Sequence, residues 1–467
     1  MSTQSLTITN PWTGEPAFEL PLDDPAAVDA KVRAARAAAD RWASTTLDTR
    51  LALVERFIEV AGRERDTLAL EISRQMGKPV AEARGEVGTM IGRARMMMAL
   101  APDALADRGG AQGDGIRRTL LKEPLGVVLD IAAWNYPLLI AVNVVVPAVL
   151  AGDAVLLKHA SQTARVGLWF ERAFAAAEAP AGLVTAVTVR GRDARGLVQH
   201  PLVDGVFFTG STAAGRTVYQ HVAQREQGFI DAGLELGGKD PAYVRADMPL
   251  DIAVPNLVEG AFYNAGQSCC AVERIYVHRS LYADFVDAYV EQARRWTIGD
   301  PTADGTLIGA LATPETLETL DAQVSDAVAK GARLLLGGER PAGPGWRYPA
   351  TVVADATHAM SLMTEESFGP VIGIAAVEDD AEALRLMNDT VYGLTASIWT
   401  ADHHVGGALA RRVRAGTVFV NRCDYVDPSL PWTGFGDSGK GVTLSALGFD
   451  QLTRARGLHV RPLSLMR

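Results

Sequence analysis

The sequence predicts an α/β protein built around a parallel sheet with helices on both faces, followed by a second α/β unit. Strand-like and helix-like segments alternate from residue 119 to residue 236, and a second alternating series occupies residues 251–420. Alternation of this kind is typical of parallel sheets. The first series therefore predicts a Rossmann-like, nucleotide-binding architecture. The length of 467 residues allows roughly three domains at about 150 residues each.

The region before the first series is predicted to be mostly helical. Residues 26–43 are rich in alanine, with charges spaced for one solvated face. Residues 47–76 repeat apolar side chains every three or four positions, as an amphipathic helix does. Gly77, Lys78 and Pro79 then supply the chemistry that ends a helix.

The first alternating series contains short β-rich runs and apolar helical segments. Strands are predicted at 119–121, 125–131, 154–157, 184–189, 203–208 and 229–236, and helices at 138–151, 162–177 and 213–222. The segment 138–151 is the most apolar of the chain, but it is too short to span a membrane and is interrupted by Asn143 and Pro147. We interpret it as a buried helix.

The second series predicts another α/β domain, and the chain closes with a strand-like tail. Helices are predicted at 251–263, 281–296, 314–330 and 380–387, and strands at 274–278, 333–336, 371–377, 396–399 and 417–420. The tail, 452–462, has little chain after it to pair with. A strand in that position often pairs with another element or another subunit.

Composition narrows the function classes. The chain has 45 Lys and Arg against 55 Asp and Glu, a formal charge of −10, and no basic run. Nucleic acid and anionic membrane surfaces are therefore disfavoured as partners. Three cysteines, two of them adjacent, allow no disulfide framework, and no secretory signal is visible at the N-terminus. We expect a cytoplasmic protein.

Most glycine-rich segments that resemble phosphate-binding loops lack a residue or a preceding strand that such a loop requires. Residues 233–239 and 434–440 nearly match a P-loop, but neither has Ser or Thr after its lysine. The Gly-x-Gly-x-x-Gly at 434–439 does not follow a strand, so we interpret these segments as tight turns with positive φ. Gly210 and Ser211 are better placed, between a strand and a helix, to bind an anion. Ser211 acting only as a helix cap is an equally good interpretation.

No metal site is predicted, because the eight histidines are scattered and no Cys-x-x-Cys or His-x-x-x-His occurs. A nucleophile is more plausible. Cys269 follows Gly266 in a turn at the end of an apolar helix, where a thiolate could face a cleft. The alternative is that Cys269 and Cys270 are small buried side chains, and the cysteines alone favour that alternative.

Two further residues have the chemistry to assist a nucleophile. Glu235 ends an apolar strand, where burial would raise its pKa toward that of a general base. The alternative is a surface ion pair with Lys239. Asn135 follows the 125–131 strand, where its amide could donate to an oxyanion. The alternative is that it caps the next helix.

Taken together, these segments resemble the aldehyde dehydrogenase superfamily over essentially the whole chain. The matching motifs occur in the family order and include Asn10–Glu15, Trp134–Pro137, Lys158, Phe208–Ser211, Glu235–Lys239, Gly266–Cys269, Glu365–Pro370 and Ser438–Gly439. The resemblance implies NAD(P)⁺-dependent oxidation of an aldehyde to a carboxylic acid. Cys269 would attack the aldehyde, Asn135 would hold the oxyanion, and Glu235 would activate the water that releases the product.

The resemblance also implies a cofactor site, a domain division and an assembly. NAD or NADP would be held by Trp134, Lys158, Ser161, Gly210, Ser211, Glu366 and Phe368. The implied domains are an NAD(P)-binding domain (1–114 and 126–236), a catalytic domain (237–440) and a small β oligomerisation element (115–125 and 441–467). We expect a homodimer or homotetramer.

Two departures from the family pattern bear on specificity. Ser161 stands where the family often has a glutamate that binds a ribose 2′-hydroxyl and repels a 2′-phosphate, so use of NADP is plausible. Arg422 lies in a segment that varies with substrate, and either meets a substrate carboxylate or forms a surface ion pair. A CoA-acylating enzyme and an inactive structural relative are the alternatives. The first usually lacks the glutamate, and the second would be expected to lose Cys269 or Glu235.

Overall fold

The computed structural model describes residues 4–111 and 114–466. Parts of the predicted NAD(P)-binding domain (1–3 and 112–113) and the last residue of the predicted oligomerisation element, 467, lie outside this range. The strands are, in chain order, β1 (Ser5–Thr9), β2 (Pro16–Pro21), β3 (Arg108–Gly109), β4 (Arg117–Pro124), β5 (Val127–Ala132), β6 (Ala154–His159), β7 (Val184–Ala186), β8 (Gly205–Thr209), β9 (Ala232–Glu235), β10 (Asp240–Val244), β11 (Val272–His278), β12 (Arg333–Leu336), β13 (Thr351–Ala354), β14 (Val371–Val377), β15 (Thr395–Trp399), β16 (Thr417–Val420), β17 (Gly439–Lys440) and β18 (Thr453–Val460).

The helices connect these strands and cover the faces of the sheets. They are α1 (Pro25–Trp42), α2 (Leu47–Arg63), α3 (Arg65–Met76), α4 (Val80–Ala104), α5 (Pro137–Ala151), α6 (Ala164–Ala176), α7 (Arg195–Val198), α8 (Thr212–Ala223), α9 (Leu250–Phe262), α10 (Tyr282–Ala293), α11 (Pro314–Ala329), α12 (Ser361–Thr364), α13 (Asp380–Asn388) and α14 (His403–Ala410).

Two largely parallel sheets form the molecule, as the alternation predicts. The first has the order β17-β9-β8-β5-β6-β7, with only β17 antiparallel to its neighbour. The second has the order β12-β13-β14-β11-β10-β15-β16, with only β12 antiparallel. Strands of parallel sheets that are covered on both faces are near-continuously apolar, and β5, β6 and β10 are buried at every position.

Each sheet has its own apolar core. The predicted buried helix at 138–151 is α5, which packs on the first sheet with almost every side chain buried. Gly152 ends it in the left-handed region, with φ 106°. The second core surrounds β10, β11 and β14 and includes the buried rings of Tyr243 and Tyr276.

The tail strand pairs within the chain. β18 is antiparallel to β4 over eight residue pairs, from Thr453 opposite Pro124 to Val460 opposite Arg117. The third strand of this sheet, β3, pairs with the other side of β4, so β18 forms an edge. The sheet is thus assembled mainly from the two segments that the sequence assigned to the oligomerisation element.

The structure differs from the predicted helices, strands and turns at several positions. The helix predicted at 47–76 is divided at Glu64, whose φ of −96° and ψ of 9° end α2. Strands β1, β2, β10 and β13 were not anticipated. The prediction of positive φ is right for Gly436 and Gly439, with φ of 58° and 121°. It is wrong for Gly233, which lies within β9, and for Gly237, Gly238 and Gly434.

Candidate active site

The turn that carries Cys269 is unusual because three consecutive residues are left-handed. After α9 ends, Asn264, Ala265 and Gly266 have φ of 54°, 55° and 70°. Such a run is unfavourable for residues other than glycine and persists only where its surroundings impose it. At Gly266 a Cβ would also collide with the carbonyl group of Gly369, so this position requires glycine on two grounds.

Buried hydrogen bonds hold this turn. The Nδ2 of Asn264 donates to the carbonyl oxygens of Asn135 and Gln267, both at 3.0 Å. The backbone N–H of Asn264 donates to Oε2 of Glu82 at 2.9 Å. On the other side, Oε1 of Gln267 accepts from the N–H of Ala312 at 2.8 Å. The strained turn is therefore fixed by α4, by the loop of Asn135 and by the loop before α11.

The two adjacent cysteines have different environments. Cys270 is buried in the apolar core, and its Sγ lies 3.3 Å from Oδ1 of Asp424. A hydrogen bond with Cys269, together with burial, raises the pKa of Cys270 well above its usual range. Cys269 is only half-buried and lines a cavity of about 510 Å³. The accessible sulfur is therefore that of Cys269.

Glu235 lies at the end of β9 and faces the same cavity. Its Oε1 accepts from Oγ1 of Thr443 at 3.1 Å, and its Oε2 has no partner in the described part of the chain. Burial raises the pKa of Glu235 to about 8. The alternative of an ion pair with Lys239 is wrong, because the Nζ of Lys239 binds Glu273 and the Oγ of Ser367.

Asn135 precedes α5 and also lines the cavity. The residue at the N-cap position of α5 is Tyr136, and no side chain caps this helix, so the capping alternative for Asn135 is wrong. The backbone oxygen of Asn135 is occupied by Asn264. Within residues 4–111 and 114–466, its side-chain amide has no hydrogen-bond partner inside the protein and remains available to a ligand.

A second group of residues lies at the carboxyl ends of the strands of the first sheet, where α/β sheets bind nucleotides. Lys158 is near the end of β6 and buried, which lowers its pKa to about 8. Ser161 begins the turn after β6. Gly210 and Ser211 connect β8 to α8, and the Oγ of Ser211 accepts from the N–H of Ala214 at 3.4 Å. Ser211 is thus the N-cap of α8, and its hydroxyl hydrogen remains free to donate.

The remaining cofactor candidates cluster beside Gly238. The Oε1 of Glu366 accepts from the N–H of Gly238 at 3.0 Å, and burial next to Glu273 raises the pKa of Glu366 to about 7. Phe368, with φ of 51°, meets Trp134 edge-to-face, the ring centroids lying 5.5 Å apart. The two aromatic residues that the resemblance assigned to one cleft are therefore in contact.

Glu273, which holds the loop of Ser367 and Phe368, was not predicted from the sequence. Glu273, buried on β11, accepts from the N–H groups of Ser367 and Phe368 at 2.8 and 2.9 Å and from the Nζ of Lys239 at 2.7 Å. A single glutamate inside a strand has no local signal, since most of its partners lie about a hundred residues away. The clue in the sequence is that two adjacent charged residues, Glu273 and Arg274, lie near the start of a mostly apolar strand.

The described residues contain no group of three or more His, Cys, Asp or Glu side chains arranged to hold a metal ion. Among the same residues, no helix is long and apolar enough to cross a membrane.

The family model, two relatives and a solved structure that match this chain are all described as aldehyde dehydrogenases or semialdehyde dehydrogenases. The family model described as the aldehyde dehydrogenase family matches residues 1–457. The chain is 35% identical over 458 residues to succinate-semialdehyde dehydrogenase [NADP(+)] 1 of Mycobacterium ulcerans, covering 97% of this chain and 99% of that one. It is 33% identical over 455 residues to an aldehyde dehydrogenase of Paenarthrobacter nicotinovorans, covering 97% and 99%. Among solved structures, an NAD-dependent aldehyde dehydrogenase from Sinorhizobium meliloti superposes with a TM-score of 0.94 at 33% identity, covering 98% and 92%.

Proposed function

The chain belongs to the aldehyde dehydrogenase family and is an NAD(P)⁺-dependent enzyme, and we propose that Cys269, Asn135 and Glu235 carry out its chemistry by a hydrolytic route. The observation that carries the proposal is that these three side chains line one cavity with an accessible thiol, a free amide and, within the described part of the chain, a carboxylate oxygen that has no partner.

The first half of the reaction belongs to Cys269. Its thiolate adds to the aldehyde carbon, and the carbonyl oxygen becomes an oxyanion. The side-chain amide of Asn135 and the backbone N–H of Cys269 donate to that oxygen. NAD(P)⁺, when bound, would supply a hydride acceptor for the same carbon, and loss of that hydride leaves a thioester on Cys269.

Glu235 performs the second half. Water attacks the thioester carbon while the carboxylate of Glu235 removes its proton, the C–S bond breaks, and the carboxylic acid leaves with Cys269 restored. A pKa near 8 suits this role, because a general base works best when its pKa is close to the working pH. The unpartnered Oε2 is the atom that accepts the proton.

The residues at the strand ends suit a dinucleotide. We propose that Lys158 binds the adenosine ribose, that Ser211 and the N–H groups after Gly210 bind the pyrophosphate, and that Glu366 binds the nicotinamide ribose. Phe368 and Trp134 place the ring. The fit rests on a buried lysine, a helix N-terminus and a glycine whose Cβ would strike the ring of Phe208. Ser161 carries no charge that would repel a 2′-phosphate.

The relatives named as succinate-semialdehyde dehydrogenases support a substrate class. We propose that this enzyme oxidises an aldehyde that carries a carboxylate at its other end. The test is a panel of charged and neutral aldehydes, assayed with NAD⁺ and NADP⁺ and with and without coenzyme A, measuring the reduced cofactor and the product. Free acid formed at a rate independent of coenzyme A supports the hydrolytic route, whereas an acyl-CoA product would contradict it.

We also propose that the enzyme assembles as a homodimer or homotetramer through the β18 sheet. β18 is an exposed edge strand, and Leu458 and Val460 on it are exposed apolar residues, as are Leu463 and Leu465 beyond it. An edge of this kind favours pairing with another chain. Light scattering during size-exclusion chromatography measures the mass directly, and a monomer would contradict the proposal.

A further inference from the structure

The wall of the active-site cavity contains a buried arginine that the proposed chemistry does not use. Arg93 lies on α4, lines the cavity and is 6% exposed. Its Nη1 donates to Oδ1 of Asn143 on α5 at 3.0 Å, while Nε has no partner in the described part of the chain. No carboxylate among the described residues lies within 4 Å of its guanidinium. A buried cation with unused donors and no counter-ion is costly, so an arrangement of this kind favours an incoming anion.

Two of the acidic groups that line the cavity with Arg93 already have other partners. Glu86, earlier on α4, is paired with Lys78 and also accepts from the N–H of Leu138 at 2.8 Å. Asp424, which also lines the cavity, accepts from the Oγ of Ser268 at 2.8 Å and from Cys270. Neither carboxylate forms an ion pair with Arg93, although Glu86 acts on it electrostatically at longer range.

Arg93 also lies within electrostatic reach of the nucleophile. Burial lowers the pKa of Arg93, and the thiols of Cys270 and Cys269 are among the groups that act against that shift. An arginine remains charged in proteins in spite of such shifts. A ligand held by Arg93 would thus share the cavity with the sulfur of Cys269.

We propose that Arg93 binds the carboxylate of an anionic aldehyde and thereby selects semialdehydes over neutral aldehydes of the same length. The planar guanidinium presents several donors at once, which matches a carboxylate better than any other side chain does. Arg93 determines specificity and takes no part in bond making. The assignment rests on the proposed function, because it presumes that the aldehyde carbon is held at Cys269.

The test compares two four-carbon aldehydes, succinate semialdehyde and butanal, in the native enzyme and in Arg93→Met. For succinate semialdehyde we expect kcat/KM to fall by roughly ten- to a hundredfold, mostly through KM. For butanal we expect a change of less than about threefold. Arg93→Lys keeps the positive charge but lacks the planar guanidinium, so its kcat/KM for succinate semialdehyde should lie between those of the native enzyme and Arg93→Met. If Arg93→Met does not fold, the selective loss is measured in Arg93→Lys instead.

Three further variants separate the role of Arg93 from the roles of its neighbours. Arg95→Gln removes an exposed charge on the same helix and should change the kinetics of neither aldehyde. Asn143→Ala removes the present partner of Arg93 and should keep the preference for the charged aldehyde. Arg422→Gln tests the other arginine that lines the cavity.

Equal losses on both aldehydes in Arg93→Met would show that Arg93 merely braces α4 against α5, and would overturn the assignment. A selective loss confined to Arg422→Gln would overturn it as well. Failure of the proposed function has a different signature, since the native enzyme would then oxidise neither aldehyde or would show no preference for the charged one.

Discussion

The Nζ of Lys239 lies 2.7 Å from Oε2 of Glu273, and both side chains are buried. This pair joins the residue before β10 to β11 and fixes the loop of Ser367 and Phe368 through the same carboxylate. It also engages the one lysine that stands close to Glu235 in the sequence. Glu235 consequently keeps an oxygen free for chemistry.

Replacement of Glu235 by Gln should separate the two halves of the reaction. Gln keeps the size of the side chain but cannot take a proton, so thiol attack and hydride loss continue while the thioester persists. We expect a burst of reduced cofactor, then turnover slowed by roughly a hundred- to ten-thousandfold. Stopped-flow absorbance measures the burst, and intact-protein mass spectrometry should find an acyl group on Cys269. Slow turnover with neither burst nor adduct would instead give Glu235 a role in activating the thiol.

Turnover should also depend on pH in a defined direction. A pKa of about 8 means that about a tenth of Glu235 is ionised at pH 7 and most of it at pH 9. Because the base acts as the carboxylate, steady-state kcat should rise roughly tenfold between these values wherever release of the acyl group limits turnover. The residual activity of Glu235→Gln should lack this rise. A kcat that falls with pH over this range would contradict the assignment.

The two cysteines should differ in chemical reactivity. Cys269→Ser should nearly abolish activity, since an unactivated hydroxyl is a much weaker nucleophile than a thiolate. Cys270→Ser should retain a substantial part, because Cys270 borders the same cavity but is only 5% exposed. Peptide mapping after brief treatment with iodoacetamide should find Cys269 labelled first. Inactivation that follows labelling of Cys270 would reverse the roles.

Cofactor preference should respond to a charge at Ser161. We expect usable turnover with NADP⁺ in the native enzyme, and Ser161→Glu should shift the NADP⁺ to NAD⁺ ratio of kcat/KM toward NAD⁺ by roughly tenfold or more through repulsion of the 2′-phosphate. Ser161→Gln has the same size without the charge and serves as the control. If the native enzyme strongly rejects NADP⁺, another residue selects the cofactor.

The buried pair of Lys239 and Glu273 should be sensitive to loss of one partner. Lys239→Met leaves Glu273 charged and without its cation, which typically costs about 3–5 kcal/mol. The exposed pair of Arg279 and Glu378 provides a matched control, and Arg279→Gln should cost under about 1 kcal/mol. Urea unfolding followed by fluorescence compares the two. Equal small losses would indicate that Glu273 is held adequately by the backbone N–H groups alone.

How far the sequence predicts this structure depends on how local each signal is. The alternation of strands and helices and the end of α3 at Gly77 could be read directly, since periodicity and helix-ending residues are local properties. The end of α2 at Glu64 could not, because the glycine and polar residues at 62–67 also suit the solvated face of one continuous helix. β10 was missed because it contains Pro241, which argues against a central strand. The register with β11 shifts between Asp240 and Pro241, and β10 pairs with β15 only from Ala242 onward.

In the candidate site, too, the residues with a local sequence signal were predicted and those without one were not. Cys269, Glu235 and Asn135 stand in short recognisable segments, and the structure places all three on one cavity. Glu273 and Arg93 have no such segment. The roles of Glu273 and Arg93 depend on contacts with residues far away in the sequence, so these roles become visible only in the folded chain.

The short strand β17 has a consequence for how the protein is made. Gly439 pairs with Glu235 and Lys440 with Leu234, so a late segment completes the edge of the sheet that bears the general base. While the ribosome is still producing residues 236–438, the edge of β9 stays open and the carboxylate lacks the strand beside it. Assembly of the catalytic centre must therefore wait until residues 439 and 440 have emerged, whatever order the rest of the sheet follows.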